Sequence, residues 1–326
     1  MPAALMSRAL PGEWLPAAAA ASVALVLFTV PWMLPLAGSV ITFASPLPLA
    51  LAYLARGKGT GRKALILAAV AALALSMAAG PPGGSYYLVY FLVMAAALGE
   101  LGVMGLSPSW VVGSAAAAAM AASVLVLLAG SLAYEVGPWT LWKTQWQGEM
   151  AAMVQAYRTM DLEPETLRQL EEGLAAVGRI VLRLAPGILA AVSLVVAWLN
   201  FLAARRIGRR LSPQADGAPL NLYRTPERLV WLLIAGGGFM ALGEGWLFWL
   251  GANLVLVMGV LYFFQGLAVV DFWLRRKNAP ILLRTAVYLT VALEIYVAGL
   301  LAATGLFDMW LNLRRLGQAK PSGSEE

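Results

Sequence analysis

The sequence predicts an all-α fold: a polytopic transmembrane helical bundle of about eight to nine spans with an extracytoplasmic amphipathic helical hairpin. Hydrophobic residues make up 61% of the chain and charged residues 12%, where soluble domains carry roughly 25% charged. The apolar residues come in repeated blocks of about 20, the length a helix needs to cross hydrocarbon, and the alternation of an outer-membrane barrel is absent. The net charge of +6 gathers beside those blocks. Such placement orients a chain in a membrane and does not point to nucleic acid.

In chain order the blocks cover residues 15–33, 36–55, 64–80, 86–106, 110–133, 180–204, 227–249, 251–274 and 281–307. The first, although it contains Pro16 and Pro31, reads as a helix and not a cleaved signal peptide, because a second block follows at once. Pro46 and Pro48 interrupt the second block, which leaves a re-entrant segment open as its alternative and the side of the amino terminus undecided. Three basic loops set the orientation: Arg56 to Lys63, Arg205 to Arg210, and Arg275 to Lys277 with Arg284. An even number of blocks separates each from the next, so all three share one side, the cytoplasm by the positive-inside rule. Nine crossings leave Arg314 and Arg315 outside, against that rule.

The segment from Tyr134 to Arg183 then lies outside, and its seven acids against five cations fit that side. Within it Trp139, Trp142, Trp146, Met150, Met153 and Tyr157 recur at 3-4-4-3-4 spacing, one face of a helix. Leu167, Leu170, Leu174, Val177, Val181 and Leu184 form a second stripe. Pro164 suits a first helical turn, and Leu162 with Leu167 can staple it. These features predict a hairpin over 134–179 on the outer membrane surface, its tryptophans at headgroup level. Its bland alternative is a lid packed on the bundle. Residues 211–226 read as a cytoplasmic linker between an N-terminal bundle (1–210) and a three-span unit (227–316). Residues 317–326 read as a disordered tail.

The chain has no cysteine and no histidine. Disulfides, thiol nucleophiles, iron–sulfur clusters and histidine-ligated metals are therefore excluded, and no cofactor is expected. Attention falls on polar residues inside apolar blocks, which are paired or functional. Glu294 lies mid-way along 281–307 and reads as the most immersed acid, either on a solute or proton path or bonded to a neighbour such as Gln265. Glu100, within Gly99-Glu-Leu-Gly102, and Glu244, within Gly243-Glu-Gly245, read as intramembrane candidates or as carboxylates reaching the interface. Asn253 and Asp271 are 18 residues apart, on one face but ~27 Å distant. Gln265 points away from them, toward a helix-packing stripe of Gly251, Gly259 and Gly266. Asp271 is placed to pair with Arg275 one turn on. The Gly57-Lys-Gly-Thr-Gly-Arg-Lys63 stretch lacks phosphate-loop spacing and reads as a basic turn. No paired-acid or nucleophile signature stands out, and an enzyme is not expected.

Four passages carry a family resemblance. They are Ser45-Pro-Leu-Pro-Leu-Ala-Leu with Arg56-Gly-Lys-Gly; Leu222-Tyr-Arg-Thr-Pro-Glu-Arg-Leu; Gly251-Ala-Asn-Leu with Tyr262-Phe-Phe-Gln-Gly-Leu-Ala-Val-Val270; and Gly305-Leu-Phe-Asp-Met-Trp-Leu-Asn-Leu-Arg-Arg315. Together they resemble the YybS-like family of uncharacterised bacterial polytopic membrane proteins, a domain-of-unknown-function family (2232). That family is distantly similar to the substrate-binding subunits of energy-coupling-factor transporters. The resemblance implies a multi-pass protein of the bacterial cytoplasmic membrane, embedded in lipid, with a transport-type role in binding a small solute within the bundle. The alternative is a non-catalytic scaffold or assembly factor that docks its helices on another membrane subunit.

Overall fold

The computed structural model describes residues 12–33, 38, 40–78, 83–159, 163–211 and 223–314. These form eleven α-helices and two short 3-10 turns, with no strand among the described residues. The chain divides into two compact units, Met1–Asp216 and Gly217–Glu326. Most of the expected linker (212–222), the expected tail (317–326) and Leu162 of the expected staple lie outside the described residues.

In the first unit the helices are α1 (Trp14–Met33), α2 (Pro46–Arg56), α3 (Lys58–Ala78), α4 (Gly83–Val103), α5 (Pro108–Ala133), α6 (Pro138–Arg158) and α7 (Pro164–Leu211). Small residues set their spacing. Ala17, Ala21 and Ala24 of α1 pack on Ala64 and Ala68 of α3, with Leu49, Ala52 and Ala95 completing the cluster. Side chains this short let helix backbones approach closely where lipid supplies no hydrophobic drive to associate. The Tyr53 ring fills a slot between Gly61 and Gly99, where a Cβ on either glycine collides with it. Two hydrogen bonds tie α7 to its neighbours: Tyr90 Oη donates to Ser193 Oγ at 2.9 Å, and Asn200 Nδ2 donates to the Phe43 carbonyl at 2.8 Å.

Helices α6 and α7 form a hairpin. Arg158 at the end of α6 meets Glu171 of α7 at 2.8 Å, and Trp146 lies over Gly178. The tryptophan stripe is therefore largely the packed face of the hairpin: Trp142 and Trp146 are half-buried against α7, and only Trp139 of the three is exposed.

The second unit contains α8 (Val230–Leu242), α9 (Trp246–Arg276), α10 (Ile281–Leu293) and α11 (Ile295–Leu311). The expected block 227–249 is interrupted at Gly243–Gly245, where Gly245 takes φ 58°, and the block 281–307 is broken at Glu294. Among the described residues three helices, α5, α7 and α9, are long and apolar enough to cross a membrane, or four if α10 and α11 together make one bent span.

Candidate functional site

Helix α9 is 31 residues long, ~46 Å and longer than the ~30 Å hydrocarbon core. Gly251, Val255, Tyr262 and Gly266 recur along it at spacings of four, seven and four, which keeps them on one face. Helix α8 occupies the first part of that face: a Cβ on Gly251 would meet the Gly236 carbonyl at 2.5 Å, and Gly236 lies against Leu254 and Val255. Helix α11 occupies the second part, with Gly266 against the Leu301 backbone and Gly305 against the Tyr262 carbonyl and the Gly266 nitrogen. Numbers that rise along α11 fall along α9, so the two run antiparallel. Helix α8, joined to α9 by a tight turn, does the same. Both pack along the same face of α9, so the C-terminal end of α11 comes toward the start of α8.

The junction between them is polar and sealed. Gln265, Asp308, Arg314 and Thr225 are 0%, 1%, 2% and 3% exposed. Asn312 ends α11 in the left-handed conformation (φ 41°), which turns the chain so that Arg314 folds back on Asp308. Arg314 Nη2 and Nε donate to Asp308 Oδ2 at 2.7 and 3.2 Å, while Nη1 donates to the Tyr223 carbonyl at 2.9 Å. Gln265 Nε2 donates to the same Asp308 oxygen at 3.2 Å, and its Oε1 accepts from the Thr225 N–H at 2.9 Å. The Thr225 hydroxyl reaches the Leu261 carbonyl at 3.4 Å. Burial pushes the Tyr223 phenol above the ordinary tyrosine range, and a hydrogen bond with Thr225 offsets part of that rise.

Buried irregular backbone needs partners for its polar groups, and these bonds supply several of them. In this unit Asp308 Oδ1 and the Tyr262 hydroxyl are buried with no hydrogen-bond partner among the described residues, as are Ser45 Oγ and Asn200 Oδ1 in the first unit. A buried polar atom left so is costly unless something bonds it. Asp308 Oδ1 can only accept, and the tyrosine hydroxyl can both donate and accept. Among the described residues no three acids come together as a metal-ligating group.

The sequence-derived residues fall partly here and partly elsewhere. Gln265 is at the centre, but its partners are Thr225 and Asp308, not Glu294. Glu294 is exposed and serves as the extended residue between α10 and α11. It precedes Leu301 by seven residues, which in an antiparallel helix moves it ~10 Å toward the basic end of α9. That register is why the expected Gln265–Glu294 pair does not form. Gly251 and Gly266 pack as described, whereas a Cβ on Gly259 meets nothing within 4 Å. Asn253 Nδ2 donates to its own helix, at the Trp249 carbonyl, 2.7 Å away. Glu244 is exposed in the turn between α8 and α9. Asp271 accepts from Arg275 at 2.8 Å and from the Tyr288 hydroxyl at 2.9 Å.

Glu100 belongs to the first unit. It is gripped by Arg62 at 2.6 and 3.1 Å with Lys58 at 3.7 Å, its side chain 29% exposed. Exposed ion pairs contribute at most ~1 kcal/mol. Glu100→Gln should accordingly shift thermal unfolding of the detergent-solubilised protein by no more than that, a far smaller change than any at the junction.

Asp308, Arg314, Thr225 and Tyr262 were not singled out by the sequence reading. The available signal was positional: three of the four resemblance passages, those containing Tyr223, Gln265 and Gly305, meet at this junction. An Asp and an Arg six apart share no helical face, and only the turn at Asn312 joins them.

The family model described as "Predicted membrane protein (DUF2232)" matches residues 22–309. The "Uncharacterized protein YybS" of Bacillus subtilis (strain 168) is 28% identical over 155 residues, covering 45% of this chain and 48% of that protein. The match thus spans about half the length of that relative. No solved structure matches.

Proposed function

The chain belongs to the DUF2232 family of predicted membrane proteins, and on that premise we propose that it is a multi-pass subunit of the bacterial cytoplasmic membrane that binds a small solute where α8 and α11 meet. The observation that carries this reading is the buried polar cluster at the end of α11, in which Asp308 Oδ1 and the Tyr262 hydroxyl have no hydrogen-bond partner among the described residues. Discontinuous helices whose facing ends carry polar groups at membrane depth are where transporters hold substrates and coupling ions. The role is transport-type and non-catalytic. The orientation proposed with it keeps the basic turns inside and the α6–α7 hairpin outside.

Native mass spectrometry in mild detergent tests it. The wild-type protein should retain a small molecule, and Tyr262→Phe should lose it with an unchanged melting temperature, because the hydroxyl bonds nothing in the described fold. No retained molecule, together with uptake of all tested nutrients unaltered by Tyr262→Phe, sinks the proposal.

A second reading is a scaffold that docks on another membrane subunit. Open space beside Gly237, Gly238 and Gly259 favours it, since small residues on an outer face admit a partner helix. It predicts a stoichiometric co-purifying protein that is lost when those glycines become leucine and unaffected by Tyr262→Phe.

A further inference from the structure

Helix α10 does not continue α11 as the first half of a span. The two axes differ by 102°, and α11 runs along α9. Helix α10 therefore lies across the end of the unit, near the end of α9 that carries Arg275, Arg276 and Lys277. Its two faces differ. Arg284, Val287, Tyr288 and Val291, at spacings of 3-1-3, are the half-buried residues, and Tyr288 anchors that face to Asp271. Ile281, Leu282, Leu283, Ala286, Leu289 and Leu293 make a broad outward apolar surface, on which Leu282, Leu289 and Leu293 are 81%, 56% and 73% exposed. Trp273 is also part-exposed at this end, with Arg276 stacked over its ring at 5.3 Å.

An apolar surface on a helix lying across a transmembrane element, rimmed by cations and an aromatic ring, matches the chemistry of a membrane surface. A span would need its axis along α11, and the 102° bend removes that. The geometry points to α10 as an in-plane helix that rests on the leaflet at the Arg275–Lys277 end. The leucines enter the acyl boundary, and Arg276 and Lys277 sit among anionic lipid headgroups, while Arg284, on the packed face, donates to the Ala279 carbonyl at 2.9 Å. The charges facing α10 from the elements around it are Asp271 and Arg275, already paired at 2.8 Å, and Glu294 at its own end. The cations of the rim are thereby in excess, which selects anionic over zwitterionic lipid. This assignment does not depend on the solute site.

The absence of native cysteine makes the test direct. Single substitutions Leu282→Cys, Leu289→Cys and Leu293→Cys are spin-labelled in nanodiscs of phosphatidylcholine with or without phosphatidylglycerol. Depth is read from relaxation by oxygen against a water-soluble nickel chelate. An in-plane helix gives one shallow depth at all three positions. A depth that climbs by ~16 Å from 282 to 293, the rise of a spanning helix, overturns the assignment. Adding phosphatidylglycerol should draw all three labels deeper, and Arg276→Gln with Lys277→Gln should abolish that shift. Equal depths in both lipids would overturn the headgroup pairing.

Discussion

Arg314→Ala is expected to destabilise the C-terminal unit by about 3–5 kcal/mol, the cost of leaving one member of a buried ion pair without the other. The residue is 2% exposed, and its hydrogen bonds include two to Asp308 and one to the Tyr223 carbonyl. Its loss strands the Asp308 carboxylate, itself 1% exposed, with only the amide of Gln265 as donor. It also frees the segment 223–225 from the end of α11, so the start of α8 loses its seat. Asp308→Ala should cost a similar amount for the mirror-image reason: a guanidinium buried without its counter-charge. The double change Asp308→Leu with Arg314→Met should recover most of the loss, because an apolar pair of similar volume carries no desolvation penalty. Urea or thermal unfolding in detergent measures all three. Single substitutions that cost under ~1 kcal/mol, the range of an exposed pair, would show that water reaches the junction and that it is not sealed.

Much of the architecture was legible in the sequence, and the junction was not, for one physical reason. Apolar block length, charge placement and helical spacing are local quantities. They identify α5, α7 and α9, the pairing of Asp271 with Arg275, and the two stripes that become the faces of the α6–α7 hairpin. What those stripes touch is a tertiary matter, as with Trp146 over Gly178. Periodicity also runs through a break. The block 281–307 reads as one continuous span because Leu293, Glu294 and Ile295 disturb neither its hydropathy nor its length. Only the 102° bend separates an in-plane helix from a half-helix. Glu294 thus looked central because it was counted from the ends of a block that is not one helix. Gln265 could be assigned a buried face from α9 alone. Its true partner Asp308 lies 43 residues away, at a register fixed by the Gly266–Leu301 and Tyr262–Gly305 contacts.

That register makes Gly305 the second position of large expected effect. Gly305→Ala adds one carbon where the Tyr262 carbonyl and the Gly266 nitrogen already touch the α-carbon's surroundings. Both are backbone atoms and cannot rotate aside, so α9 and α11 must move apart. Overpacking of this kind costs typically 1–3 kcal/mol, about as much as losing a good share of the helix contact. The consequence reaches the junction. Gln265 Nε2 and Asp308 Oδ2 are 3.2 Å apart, at the long end of an N–H···O bond. A shift of a few tenths of an ångström breaks that bond while leaving Arg314 on Asp308, since both belong to the same segment. Gly305→Ala should therefore lower stability and weaken solute retention together, whereas Tyr262→Phe lowers retention alone. Gly259→Ala is the control on the same helix: its Cβ meets nothing within 4 Å, and alanine's better helix propensity leaves stability unchanged or higher by up to ~1 kcal/mol. If the two glycine changes prove equally mild in a melting experiment, α9 and α11 do not meet backbone to backbone, and the approach of α11 toward α8 falls with that contact.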